Sequence, residues 1–79
     1  MEKPNKKMLA VASERLGVSE HDVAAAFRPA PGFDQGGFFA VPGRGGGRLL
    51  VSADGEALWA SSSLAPAAHV EAFLKGRRN

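Results

Sequence analysis

The chain has no cysteine, no threonine and no tyrosine, and a single tryptophan in 79 residues. Without cysteine there is no disulfide staple, no thiolate zinc site and no thiol redox chemistry. Long apolar runs are also missing. No segment approaches the ~20 apolar residues that span a bilayer, and Met8 to Ala12 is too short for the apolar core of a signal peptide. A cytoplasmic protein with no membrane partner is the expectation. Charge of one sign is scarce too: 10 Lys and Arg against 8 Asp and Glu leave a net charge of +2. That balance reads as a small excess of lysine and arginine and not as a basic stripe. The basic residues concentrate at the two ends, Lys3, Lys6 and Lys7 and then Lys75, Arg77 and Arg78.

Motifs that carry chemistry are equally sparse. The two histidines, His21 and His69, do not fall at His-x-x-x-His or His-Glu-x-x-His spacing, so neither metal nor cofactor is expected. A nucleophilic triad needs a hydroxyl, a base and an orienting acid. Ser61, Ser62 and Ser63 precede His69, but capping a helix accounts for them, and no Gly-x-Ser-x-Gly elbow is present. Asp54 and Glu56 flank a glycine and Asp34 stands in a loop, so no spacing sets a carboxylate pair into a pocket. A chain of this length buries only about 60% of its unfolded surface, too little for a roomy cavity. The reading is non-enzymatic.

What is present reads as a small α+β domain. Lys6 to Leu16 has a helical pattern with Leu9, Ala12, Ser13 and Leu16 on one face, ended by Gly17. Ser19 caps a second short helix, with Glu20 and Asp22 in its first turn and Val23, Ala26 and Phe27 as its apolar face. Arg28 to Gly37, with two prolines and three glycines, is read as a loop with Phe33 plugging the core. Phe38 to Val41, Arg48 to Ser52 and Ala57 to Ser61 are strands. Asp54-Gly55 between the last two predicts a type I′ hairpin turn. Pro66 opens a final helix carrying Ala67, Val70, Phe73 and Leu74 on one face.

The expected order is α-α-β-β-β-α: a three-stranded antiparallel meander in a single domain 1–79, with helices mainly on one face. Residues 1–5 and 77–79 are expected to be flexible tails.

Strand alternation puts Phe39, Val41, Leu49, Val51, Leu58 and Ala60 on the core face. Phe38, Leu50 and Trp59 then share the opposite face, with Arg44 and Arg48 at its rim. An exposed aromatic trio with basic neighbours suits a protein partner or a second copy of the chain. The alternative is a basic nucleic-acid-binding accessory protein using Lys6, Lys7, Arg44, Arg48, Arg77 and Arg78. The loop Pro42 to Arg48 admits a phosphate cradle or an RGG-like contact, but it leads into a strand and lacks a P-loop's Gly-Lys-Ser/Thr ending.

Gly47-Arg48-Leu49-Leu50-Val51, Asp54-Gly55-Glu56, Ser62-Ser63, Pro66 and His69-Val70-Glu71-Ala72-Phe73 together resemble the C-terminal half of YrhB-type immunity proteins. In that family a Leu-Val strand, a glycine turn and a closing helix after a proline follow in this order. The resemblance implies an inhibitor that neutralises a toxin domain by binding it, and it assigns no binding residue.

Overall fold

The computed structural model describes residues 2–40 and 46–78. Val41 and Arg44, and with them most of the glycine-rich loop, lie outside the described residues. The elements are α1 (Lys6–Leu16), α2 (Glu20–Ala25), β1 (Phe27–Ala30), β2 (Phe33–Phe39), β3 (Gly47–Ser52), β4 (Ala57–Ser61) and α3 (Pro66–Leu74). The four strands pair antiparallel in the order β1-β2-β3-β4. The fold is α+β as expected, with four strands and not three.

The fourth strand comes from the stretch read as a loop. Pro29 stands on edge strand β1 opposite Gly37, where a missing N–H is tolerated. Gly36 and Gly37 are strand residues because aromatic rings lie against them. A Cβ on Gly37 would run into the Phe27 ring and the Arg28 carbonyl, and one on Gly36 into the Val51 carbonyl. The residues that look like breakers are an edge and two close contacts.

Helices cover both faces of the sheet, which corrects the expected one-sided packing. On one face Phe27, Phe39, Leu49, Val51 and Ala57 pack with Met8, Ala12 and Leu16 of α1 and Val23 of α2. Thus Met8, at i, i+4, i+8 with Ala12 and Leu16, leads the α1 stripe, while Leu9 is only half-buried. On the other face Ala30, Phe33, Phe38, Leu50 and Leu58 pack with Val70 and Phe73 of α3. Edge-to-face pairs stand in each layer, Phe27 with Phe39 at 5.3 Å and Phe33 with Phe73 at 5.6 Å between centroids.

Helix ends follow local chemistry. Asn5 accepts from the Met8 N–H and Ser19 from the Asp22 N–H. Gly17, at φ 70°, closes α1. The three serines do not cap α3: its N-cap is Ala65, which has no capping side chain, with Pro66 as the first helical residue. Within α3 the buried residues are His69, Val70 and Phe73, while Ala67 and Leu74 of the expected face are exposed.

The β3–β4 connection sets the phase of β4. A two-residue Asp54-Gly55 turn would pair Leu50 with Trp59. Instead the Ser52 N–H donates to the Glu56 carbonyl at 2.9 Å and the Gly55 N–H to the Ser52 carbonyl at 2.9 Å. Within this turn only Gly55 has positive φ, 91°, since among the described residues no non-glycine residue does. This is a three-residue loop, a turn followed by a left-handed glycine. It pairs Leu50 with Leu58 and Leu49 with Trp59. One residue of register turns every side chain of β4 to the other face.

Candidate functional site

Because of that register, the expected Phe38, Leu50 and Trp59 surface does not exist as one face. Phe38 and Leu50 are buried beneath α3, at 5% and 0% exposure. Trp59 is half-buried on the opposite face, against the α1 layer. A partner cannot touch Phe38 or Leu50 without lifting α3.

Arg48 is likewise committed inward. Its Nη2 donates to the Leu64 carbonyl and its guanidinium carbon lies 5.2 Å from the Phe38 ring centroid. Of the other basic residues proposed for nucleic acid, Lys6, Lys7, Arg77 and Arg78 are exposed. Lys6 and Lys7 open α1, Arg77 and Arg78 follow α3, and Lys7 lies close to Gly55 of the β3–β4 turn.

Beside Phe38 is His69, at 0% exposure, its ring 5.3 Å away. Nε2 meets the Leu58 carbonyl at 2.7 Å, and a carbonyl only accepts, so Nε2 carries the proton. His69 Nδ1 and Arg48 Nε have no partner among the described residues. Burial pushes His69 below its ordinary 6.5; the Leu58 bond opposes that shift and the Arg48 charge adds to it. The imidazole is a neutral core group, an anchor of α3 on β4.

The groove with the most varied chemistry lies elsewhere, between the β3–β4 turn and the C-terminal end of α3. It has a volume of about 380 Å³ and is lined by Gln35, Ser52, Ala53, Asp54, Glu56, Phe73, Leu74 and Arg78. The turn that forms one wall is firmly held. Ala53 N–H donates to the Gln35 carbonyl at 2.7 Å, and Asn5 Nδ2 donates to the Ala53 carbonyl at 3.0 Å. Ser52 Oγ donates to the Asp54 carboxylate and accepts from the Glu56 N–H at 3.2 Å. The Ser52 hydroxyl is the main cause holding the Asp54 carboxyl below its ordinary 3.8, with smaller help from backbone N–H groups and Lys7.

The opposite wall is α3, where Leu74 is 62% exposed, the one large apolar side chain so open among the described residues. Arg78 crosses between the walls. Its Nε donates to Glu56 Oε1 at 3.0 Å, its Nη1 to the Phe73 carbonyl at 2.8 Å, and its guanidinium carbon lies 3.6 Å from the Phe73 ring centroid. Asn5 and Arg78, both in the ends expected to be flexible, are thus tied to the body of the domain.

Sequence reading missed this groove. In sequence, no spacing sets Asp54 and Glu56 into a pocket, and Phe73 and Leu74 read as one apolar face. Helical periodicity alone gave no signal for the groove, since adjacent helical residues can share one apolar stripe, as the buried neighbours His69 and Val70 do in this helix.

The fold defines a small α+β domain with a four-stranded antiparallel meander between helices. No family profile, curated protein or solved structure matches the chain. Among the described residues no helix is long and apolar enough to cross a membrane.

Proposed function

We propose that the chain is a non-enzymatic protein-binding module acting in the cytoplasm, and that it takes its partner at the Leu74 groove. The observation that carries this reading is Leu74 itself, 62% exposed beside a recess of about 380 Å³ with Asp54, Glu56 and Arg78 around it. An apolar anchor ringed by polar groups is the usual anatomy of a protein interface. The inhibitor or immunity role implied by the YrhB-type resemblance falls within this proposal, its partner then being a toxin domain. The nucleic-acid alternative has less support, since Arg48 and Arg78 are engaged within the chain.

The test is capture of partners by the tagged chain at moderate salt, with and without nuclease, beside the L74D variant. One stoichiometric protein that survives nuclease and is lost from L74D supports the reading. Capture that L74D leaves intact removes the groove from it, and capture that collapses with nuclease favours nucleic acid.

A further inference from the structure

The groove holds a cation in a manner specific to one side chain. Phe73 offers its ring face at 3.6 Å from the Arg78 guanidinium carbon. Glu56 accepts from Nε at 3.0 Å and the Phe73 carbonyl from Nη1 at 2.8 Å. A planar, forked donor that stacks flat on an aromatic ring while hydrogen-bonding at its edge is a guanidinium; an ammonium is drawn to the ring face as well but has no planar fork to do both at once. Asp54 lines the same groove, and its depressed pKa keeps it anionic. Without Arg78, an acidic cradle with an apolar floor is left.

We propose that this cradle is a recognition site for an arginine of a partner protein, and that Arg78 is its intramolecular occupant. The inference rests on the reading of the groove as the binding surface and adds the chemistry of what enters it.

Two observations make Arg78 displaceable. It follows Gly76, whose φ of 97° turns the chain out of α3, so its backbone is no longer part of the helix. Its ion pair is also well exposed, with 32% of the Arg78 side chain and 54% of the Glu56 side chain accessible, and pairs of that kind hold weakly. A partner arginine flanked by an apolar residue makes the same contacts and covers Leu74 as well. Arg78 then acts as a competitor that lowers apparent affinity by the fraction of chains in which the cradle is closed.

The experiment titrates the peptide acetyl-Gly-Arg-Arg-Asn-amide into the full chain and its R78S variant, following amide NMR shifts of Gln35, Glu56 and Leu74. R78S is expected to bind roughly tenfold more tightly than the unsubstituted chain, as expected when a competing occupant is removed. The double variant R78S/E56Q and the peptide acetyl-Gly-Lys-Lys-Asn-amide should each lose most of that binding. R78K keeps the cation without the planar stack, is conservative enough to leave the fold intact, and should fall between the unsubstituted chain and R78S. Equal affinity across the unsubstituted, R78K and R78S chains, or a lysine peptide that binds as well, overturns the proposal. If partner capture remains sensitive to L74D while the arginine peptide fails, the arginine inference alone is lost. If both fail, the groove reading goes with it.

Discussion

His69 shows how one buried polar side chain couples the fold to pH. Its Nε2–H donates to the Leu58 carbonyl at 2.7 Å, while Nδ1 has no partner among the described residues. Protonation would place an unpartnered N–H and a charge in the core, near Arg48. The folded pKa therefore lies below 6.5, the ordinary value. The unfolded chain then binds more protons as pH drops below 6.5. Stability is full above that value and declines as pH falls toward the lowered folded one. H69L removes the titration, so urea midpoints compared at ~pH 7.5 and ~pH 5 should show a smaller loss for H69L than for the parent chain. An equal loss in both would assign the acid sensitivity to other groups. Arg48 gives a second prediction at this scale. It donates to the Leu64 carbonyl and covers Phe38, so R48A removes a charge-assisted bond together with packing. A loss of about 1.5–3 kcal/mol in chemical denaturation is expected. R48A that costs nothing would mean the contact is not held in solution.

At the scale of the element, the ends of α1 and the starts of α2 and α3 were legible because each is set by neighbours in sequence, whereas Phe27, expected on the apolar face of α2, opens β1 after a helix that ends at Ala25. Gly17, Ser19 and Pro66 act within a turn of where they stand. What was not legible depends on residues far apart. Pro29 and the Gly36-Gly37 pair carry the local chemistry of a loop, and it is the pairing of β1 with β2, with the Phe27 and Phe33 rings and neighbouring backbone close against the two glycines, that makes them strand residues. The site suffered from the same limit. Asp54-Gly55 correctly announced a hairpin, but the choice between two and three loop residues is made by the Ser52–Glu56 bond, and that choice moved Trp59 across the sheet. These close contacts predict the effect of small changes. In G37A the new methyl meets both the Phe27 ring and the Arg28 carbonyl. Overpacking of this kind costs about 1–3 kcal/mol, and the urea midpoint should fall accordingly. A neutral G37A would require β1 to stand further from β2 than its pairing shows.

Considered as a whole, the molecule is one thin sheet carrying an apolar layer on each side. Neither layer is large: one rests on α1 and α2 and the other on the single helix α3. The overall class could be read from composition and periodicity. Its two-sidedness could not, because it depends on which of two alternating faces each strand turns to which helix. A domain of this length has a stability on the order of 4–12 kcal/mol, so the layers must stand or fall together if α3 is to stay docked. Phe73 tests this. It is 5% exposed, pairs with Phe33 and lies under Arg78, and F73A should cost about 3–5 kcal/mol. Trp59 reports from the other layer, so its fluorescence senses α3 only through the sheet. In urea, F73A is expected to show one transition at a lower midpoint, with Trp59 emission and far-ultraviolet circular dichroism coinciding. If circular dichroism fell first while Trp59 held its native emission, α3 would be undocking alone. The groove at its C-terminal end would then open by local unfolding and not by displacement of Arg78 alone.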